Sequence, residues 1–203
     1  MTDVVGYLEQ MGSRALGRTL TLAETAMLHN YLNLLTKWQK SQRLIGSAEP
    51  TWIVDNVIAD SLLFRRAIPK TISTLCDVGS GAGLPGIPLS IVMPDVDVTL
   101  IESRQKRGSF LSAAIRELSL RNCRLVNQRL EDVGQALAGR FDAVVMRCAG
   151  NPTLLRPQLG VILAAGGVAI ASGPPRSERL PYGSWLEVEG PYGPRRFWIY
   201  NAP

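Results

Sequence analysis

The chain has 203 residues, a formal net charge of +5 and 46% hydrophobic residues, enough for one sizeable α/β core with at most a small appended module. It has no apolar run of about 18 residues, and its acid-bearing start, MTDVVGYLEQMGSRALG, reads as neither a signal nor a transit peptide, so a cytoplasmic protein without membrane contact is expected. Three scattered cysteines (Cys76, Cys123, Cys148) and a single histidine, His29, exclude a disulfide framework, zinc spacing and histidine-based catalysis, and no metal site is expected.

The first helix is expected to carry Val4, Tyr7, Leu8 and Met11 on one side. Thr21 followed by Glu24 is a capping-box pattern, and Leu28, Tyr31, Leu32, Leu35 and Trp38 then recur at helical spacing, leaving His29 partly exposed. Pro50 opens another helix, running through Ile53, Val57 and Ile58 to Phe64. Residues 1–70 thus read as a helical N-terminal extension without a strand, and 71–203 as a Rossmann-like domain.

From residue 73 strands alternate with helices. Strands are expected over 74–78, 96–101, 123–127, 141–146 and 168–171. Helices are expected over 85–92, 103–118 with Ser103 as N-cap, and 152–163, the last stopped by Gly166-Gly167. This alternation implies a parallel sheet with right-handed crossovers. Two further β-like runs, 185–188 and 197–200, are joined through Gly-Pro-Tyr-Gly-Pro and form an antiparallel closing hairpin.

The stretch LCDVGSGAGLPGIP places a glycine-rich turn between the first strand and its helix, where such sheets bind ligands. Gly79-x-Gly81-x-Gly83 is one reading, and Gly81-x-Gly83-x-x-Gly86 matches the dinucleotide fingerprint. Three features break the tie. Asp77, two residues before Gly79, can attract the ammonium of an amino acid and would serve a pyrophosphate poorly. Glu102 ends the second strand, where a carboxylate accepts both hydroxyls of a ribose, a feature that fits either cofactor. The terminal strand pair suits the methyltransferase version of the sheet. An adenosyl ligand with an amino-acid tail and no phosphate, S-adenosylmethionine, fits all three. Between Arg104 and Arg129 seven basic residues stand against one acid, Glu117. Such a run, with Lys106, Arg107 and Arg116 in it, is either a solvated face or a footprint for a nucleic-acid backbone.

The run DVGSGAGLPGIPLSIVMPDVDVTLIESRQKRGSFL resembles the signature of the RsmG (GidB) family of 16S rRNA guanine-N7 methyltransferases. The resemblance extends upstream through SQRLIGSAEPTWIVDNVIADSL and downstream through LSLRNCRLVNQRLED and FDAVVMRCAG, roughly residues 20–173. It implies an α/β class I S-adenosylmethionine-dependent methyltransferase (Rossmann-like) fold, and N7 of guanine 527 in 16S rRNA as the methyl acceptor. It implies cofactor contacts from Gly79, Gly81, Leu84 and Glu102, an adenine-contacting pair in Leu130 and Glu131, and a cofactor-binding and catalytic role for Arg147 after the fourth strand. Lys106, Arg107 and Arg116 would contact RNA, the partner would be 16S rRNA or the small ribosomal subunit, and a monomer is expected.

The chain departs from the family at Arg43-Leu44-Ile45, at Asn56 and at Ser172-Gly173, and its tail after 173 is short and diverged. Guanine N7 carries an accessible lone pair, so alignment and electrostatics can suffice and no general base is required. A cytosine-C5 chemistry with Cys148 as nucleophile is the rival, but the flanking proline and a second nearby cysteine are missing. A methyltransferase for another RNA position or for a small molecule competes as well, and the basic helix speaks against the small molecule. Outside enzymes, the competing reading is a degenerate RNA-binding module.

Overall fold

The computed structural model describes residues 3–147, 151–173 and 182–203. Helix α1 (Val4–Leu16) is capped by Asp3, and α2 (Leu22–Gln42) opens with the expected capping box. Thr21 Oγ1 accepts from Glu24 N at 3.2 Å and Glu24 Oε2 accepts from Thr21 N at 2.8 Å. Arg18 adds two hydrogen bonds to the same carboxylate, at 2.9 and 2.6 Å, which holds it below the usual carboxylate range against the effect of burial.

The helix expected from Pro50 is not uniform. It runs as α3 (Pro50–Ile53), a π-helical turn over Val54–Ala59, α4 (Asp60–Leu62) and α5 (Phe64–Ala67). A widened turn of this kind re-aims side chains and is frequent at functional sites. Here it carries Asp55 and Asn56 and leads directly into Asp60.

The sheet comprises β1 (Thr74–Val78), β2 (Asp97–Ile101), β3 (Cys123–Val126), β4 (Phe141–Met146), β5 (Leu163–Ser172), β6 (Ser184–Gly190) and β7 (Gly193–Asn201), in spatial order β3-β2-β1-β4-β5-β7-β6. The first five strands pair in parallel, and β7 runs antiparallel between β5 and β6. Between them lie α6 (Gly86–Val92), α7 (Gln105–Glu117), α8 (Leu130–Val133) and α9 (Pro152–Ile162). The order reverses between β1 and β4, so their carboxyl ends form the crevice where ligands of such sheets bind.

Two sequence expectations shift. Helix α7 starts at Gln105 with Arg104 as its cap and no side-chain cap bond; the Glu102 carboxylate takes Arg104 N at 2.8 Å. Gly166-Gly167 does not stop α9. The helix ends at Ile162, and the glycines lie in a bulge of β5 between the Phe141–Leu163 and Ala143–Val168 pairs, with Gly166 at φ 71°.

One apolar cluster unites Leu8, Leu28, Tyr31 and Phe64 of the helices with Leu75, Leu100, Phe110 and Val145. On the other face Cys76, Val144, Leu159 and Trp198 form a second. The first 70 residues therefore differ from the rest in topology but share its core.

Candidate active site

The glycine turn is fixed to the end of β2 by its backbone: Gly79 N and Ser80 N both donate to Ile101 O, at 2.9 and 3.1 Å. Gly79, Gly81 and Gly83 take φ of 71°, 60° and 84°, a region that L side chains rarely adopt. Gly86 does not. It lies in the first turn of α6, where an added Cβ would meet the Leu100 side chain and sit 2.7 Å from Asp77 Oδ2. The two glycine readings thus separate physically: the alternating trio shapes the loop, and Gly86 permits close packing. A buried hydrogen bond from Tyr31 Oη to Ala82 O, 2.5 Å, ties the loop to α2. By spacing alone Tyr31 is only a member of the helix stripe.

Glu102, 4% exposed, closes the end of β2. Its Oε2 accepts from Gly81 N at 2.9 Å and its Oε1 from Arg104 N at 2.8 Å. A carboxylate offers about four lone-pair positions, so both oxygens keep capacity for ligand hydroxyls. Beside it runs a cleft of about 200 Å³, walled by Val78, Gly79, Ile101, Leu130, Glu131 and Leu155. The expected residues Gly79, Glu102, Leu130 and Glu131 meet there. A carboxylate at a strand end among apolar walls, under a backbone loop free of side chains, fits an adenosine moiety. Gln128 and Leu155 also border this cleft, with no motif in the sequence to announce them.

Gly81 and Leu84 line an adjoining cleft of about 240 Å³, together with Leu44, Trp52, Arg107 and Arg147. One stretch of departure from the family falls here. Leu44 and Ile45 wall this cleft, and Arg43 ends α2 at φ 47°. Of the basic trio, Lys106 and Arg116 are exposed on α7, whereas Arg107 turns inward, its Nη1 3.9 Å from Glu102 Oε2.

Asp77 stands apart from the other expected cofactor residues. It lines neither cleft, is fully buried, and gives Oδ2 to Gly86 N at 2.9 Å while Oδ1 has no partner. Burial pushes its carboxyl up to about 7, against the pull of Gly86 N. In an unfolded chain it would titrate at about 3.9. The folded state therefore holds the extra proton between about pH 4 and 7, and this group's contribution to stability is lost as pH rises through that window. Asp77→Asn is expected to flatten that part of the pH dependence of thermal unfolding, measured by calorimetry across pH 4–8. An unchanged profile would show that other groups set it.

Arg147 follows β4. Its Nε lies 3.2 Å from Asp60 Oδ2, its Nη2 donates to Asn56 O at 2.5 Å, and its Nη1 is buried without a partner. Asp60 also holds Arg195 Nη2 at 2.5 Å. Ser61, its neighbour, donates to Val57 O in the preceding turn, at 2.6 Å. Cys148 lies outside the described residues. Asn56, where the family usually carries histidine, meets Arg147 through its backbone carbonyl, a contact the side-chain identity does not alter. Tyr192 on the β6–β7 turn and Arg195 in β7 also reach this site, with no signal in the sequence to announce them.

The family model described as GidB, rRNA small subunit methyltransferase G, matches residues 24–171. The ribosomal RNA small subunit methyltransferase G of Sorangium cellulosum is 34% identical over 190 residues, covering 92% of this chain and 79% of that protein. The protein of the same name from Stenotrophomonas maltophilia is 37% identical over 176 residues, covering 82% and 78%. Among solved structures, a SAM dependent methyltransferase from Aquifex aeolicus superposes with a TM-score of 0.55 at 16% identity, over 75% of this chain and 93% of that one. A precorrin-6y C5,15-methyltransferase from Geobacter metallireducens gives 0.53 at 14%, over 80% and 93%; both likenesses concern the fold alone. The protein is a methyltransferase, and S-adenosylmethionine is its cofactor. With more than half its length matched and relatives above 30% identity along most of it, this chain belongs to the GidB family, rRNA small subunit methyltransferase G.

Proposed function

We propose that the protein methylates N7 of guanine 527 in 16S rRNA, as a cytoplasmic monomer acting on the small ribosomal subunit or its RNA. The observation that carries this reading is the position of Arg147: a clamped guanidinium with a spare buried donor, on the wall of the cleft that adjoins the cofactor loop. Glu102 holds the ribose hydroxyls, Leu130 and Glu131 flank the adenine, and the backbone of Gly79 and Gly81 with Leu84 encloses the amino-acid end. Bound there, the cofactor supplies an electrophilic methyl group. Guanine N7 has no proton to lose, so the protein's work is alignment and charge accommodation. Arg147 suits that work: Asp60 and Asn56 O fix its orientation, and Nη1 can donate to guanine O6 without occupying the N7 lone pair. Asp60 is the positioning residue for Arg147. Among the described residues no helix is long and apolar enough to cross a membrane.

The test is methyl transfer to small subunits or 16S rRNA lacking the modification, with the product nucleoside identified by mass spectrometry. We expect 7-methylguanosine; 5-methylcytidine or a methylated small molecule would overturn the reading.

Lys106 and Arg116 are the proposed phosphate contacts on α7. Arg107 belongs to the cofactor side, since it faces Glu102. Each single-strand phosphate contact contributes about 0.7 to the slope of log K against log salt, so neutralising Lys106 and Arg116 together should lower that slope by about 1.4. Binding titrations on an rRNA fragment at several salt concentrations check this, and an unchanged slope would make the α7 run an ordinary solvated face.

A further inference from the structure

Beyond the matched span of residues 24–171 lies the β6–β7 hairpin, and its turn walls a cleft of about 480 Å³. The opposite wall is the π-helical turn. Trp52, Asp55, Asp60, Arg147, Tyr192 and Arg195 are the lining groups that bear on chemistry. Trp52 and Arg147 line the cofactor-loop cleft as well, so the two spaces meet at these side chains; Asp55 lines only the outer one.

Two carboxylates and two guanidiniums cancel, so the cleft does not select a net charge. It offers donors and acceptors at different places. Asp60 is ion-paired with Arg147 and Arg195, although its Oδ2 makes no hydrogen bond among the described residues. Arg147 Nη1 is a desolvated donor without an acceptor. Asp55 Oδ1 takes the hydroxyls of both Tyr7, at 2.8 Å, and Tyr192, leaving Oδ2 as a carboxylate oxygen without a hydrogen bond among the described residues. The aromatic rings of Trp52 and Tyr192 flank these groups, and Tyr192 is 62% exposed. The turn that carries Tyr192 is also pinned by Arg14 Nη2 to Pro191 O, 3.3 Å, and Arg66 Nη1 to Glu189 O, 2.5 Å.

A ligand matched to this arrangement is flat, offers donors on one edge and an acceptor on another, and stacks. Guanine has this pattern. Its N1–H and N2–H₂ are adjacent donors that Asp55 Oδ2 can accept, and O6, next to N1, leads round to N7 on the adjoining edge. With its donor edge at Asp55, the ring would turn O6 towards Arg147 Nη1 and N7 towards the boundary with the cofactor-loop cleft. We propose that this outer cleft is the pocket for the target guanine, with Asp55 reading its Watson–Crick edge and Tyr192, from the hairpin, orienting Asp55. The proposal rests on the guanine-N7 reading above and adds what that reading lacks, a residue that selects the base. It also requires an unpaired target, because base pairing would occupy the edge that Asp55 reads.

The experiment compares rRNA fragments carrying guanine or inosine, which lacks the 2-amino group, at the target position, with wild-type, Asp55→Asn and Tyr192→Phe enzymes. For the wild type, kcat/KM is expected to fall about 10- to 100-fold from guanine to inosine, as for a lost hydrogen bond to a charged acceptor. Asp55→Asn is expected to lose a similar factor on guanine and to discriminate less than about 3-fold, with unchanged cofactor affinity. Tyr192→Phe should fall between, since it removes only the bond that orients the carboxylate. Should Asp55→Asn fold poorly, Tyr192→Phe and the wild-type inosine ratio still decide. Full discrimination by Asp55→Asn, or none by the wild type, overturns the pocket. A wild type that makes no 7-methylguanosine overturns the underlying reading instead, so the two failures are separable.

Discussion

Replacing Arg147 by alanine is expected to lower methyl transfer to rRNA about 100-fold or more, the scale of losing a preorganised donor from a water-poor site. The guanidinium does two things at once. It holds Nη1 as a buried donor without a partner, and it neutralises an Asp60 carboxylate whose side chain is only 11% exposed. Alanine therefore also leaves a largely buried carboxylate with Arg195 as its remaining described ion-pair partner. Breaking such a pair is destabilising by up to about 3–5 kcal/mol, so thermal unfolding must be followed alongside activity. Arg147→Lys separates the effects: it keeps the charge near Asp60 but loses the planar fork, and should restore stability far more than turnover. Cys148→Ala is expected to keep most activity, because N7 attack needs no covalent addition. If Cys148→Ala were folded, bound cofactor and were inactive while Arg147→Ala turned over normally, the guanine-N7 chemistry would be wrong.

The part of this site readable from sequence is the part made by local patterns. The capping box at Thr21 and Glu24, the strand–glycine–helix unit at 74–92 and the acid ending β2 each depend on residues close in the chain, and each forms as its spacing implies. The glycine register was ambiguous in sequence because spacing cannot distinguish a glycine needed for positive φ from one needed for packing. Gly83 and Gly86 look alike until φ and the neighbourhood of a missing Cβ are known. Asp77 is ambiguous for a related reason. Its place at the end of β1 suggests a ligand-facing acid, whereas strand alternation puts its side chain on the Leu75 face, beneath α6 and outside the lining of the two clefts at the glycine loop. What stayed hidden was made by long-range packing. The hairpin residues Tyr192 and Arg195 meet Tyr7, Asp55 and Asp60 across well over a hundred positions, and no periodicity encodes that. The π turn is equally silent, since Pro50 and an apolar stripe specify a helix but not one wide turn within it.

Glu102→Ala is expected to weaken S-adenosylmethionine binding about 10- to 150-fold, the equivalent of roughly 1.5–3 kcal/mol for hydrogen bonds to a charged acceptor. The carboxylate's effect on the ligand is both direct and through the loop. It would accept the ribose hydroxyls, and it already holds Gly81 N and Arg104 N, fixing the left-handed turn and the first turn of α7 in one stroke. Alanine removes all of these acceptors and leaves Gly81 N, in a buried residue, without its partner. It also frees Arg107, whose Nη1 faces the same carboxylate. Glu102→Gln isolates the ligand's share. Its amide oxygen can keep one of the two backbone bonds, so the loop is largely retained, while the charge that strengthens bonds to the ribose is lost. Titration calorimetry without RNA should therefore rank affinity as wild type, Glu102→Gln, Glu102→Ala, with the glutamine variant unfolding close to the wild-type temperature. Equal affinity across the three would remove Glu102 from the cofactor site. A glutamine variant as weak as alanine, yet fully stable, would assign the whole effect to charge-assisted contact with the ligand and none to the loop.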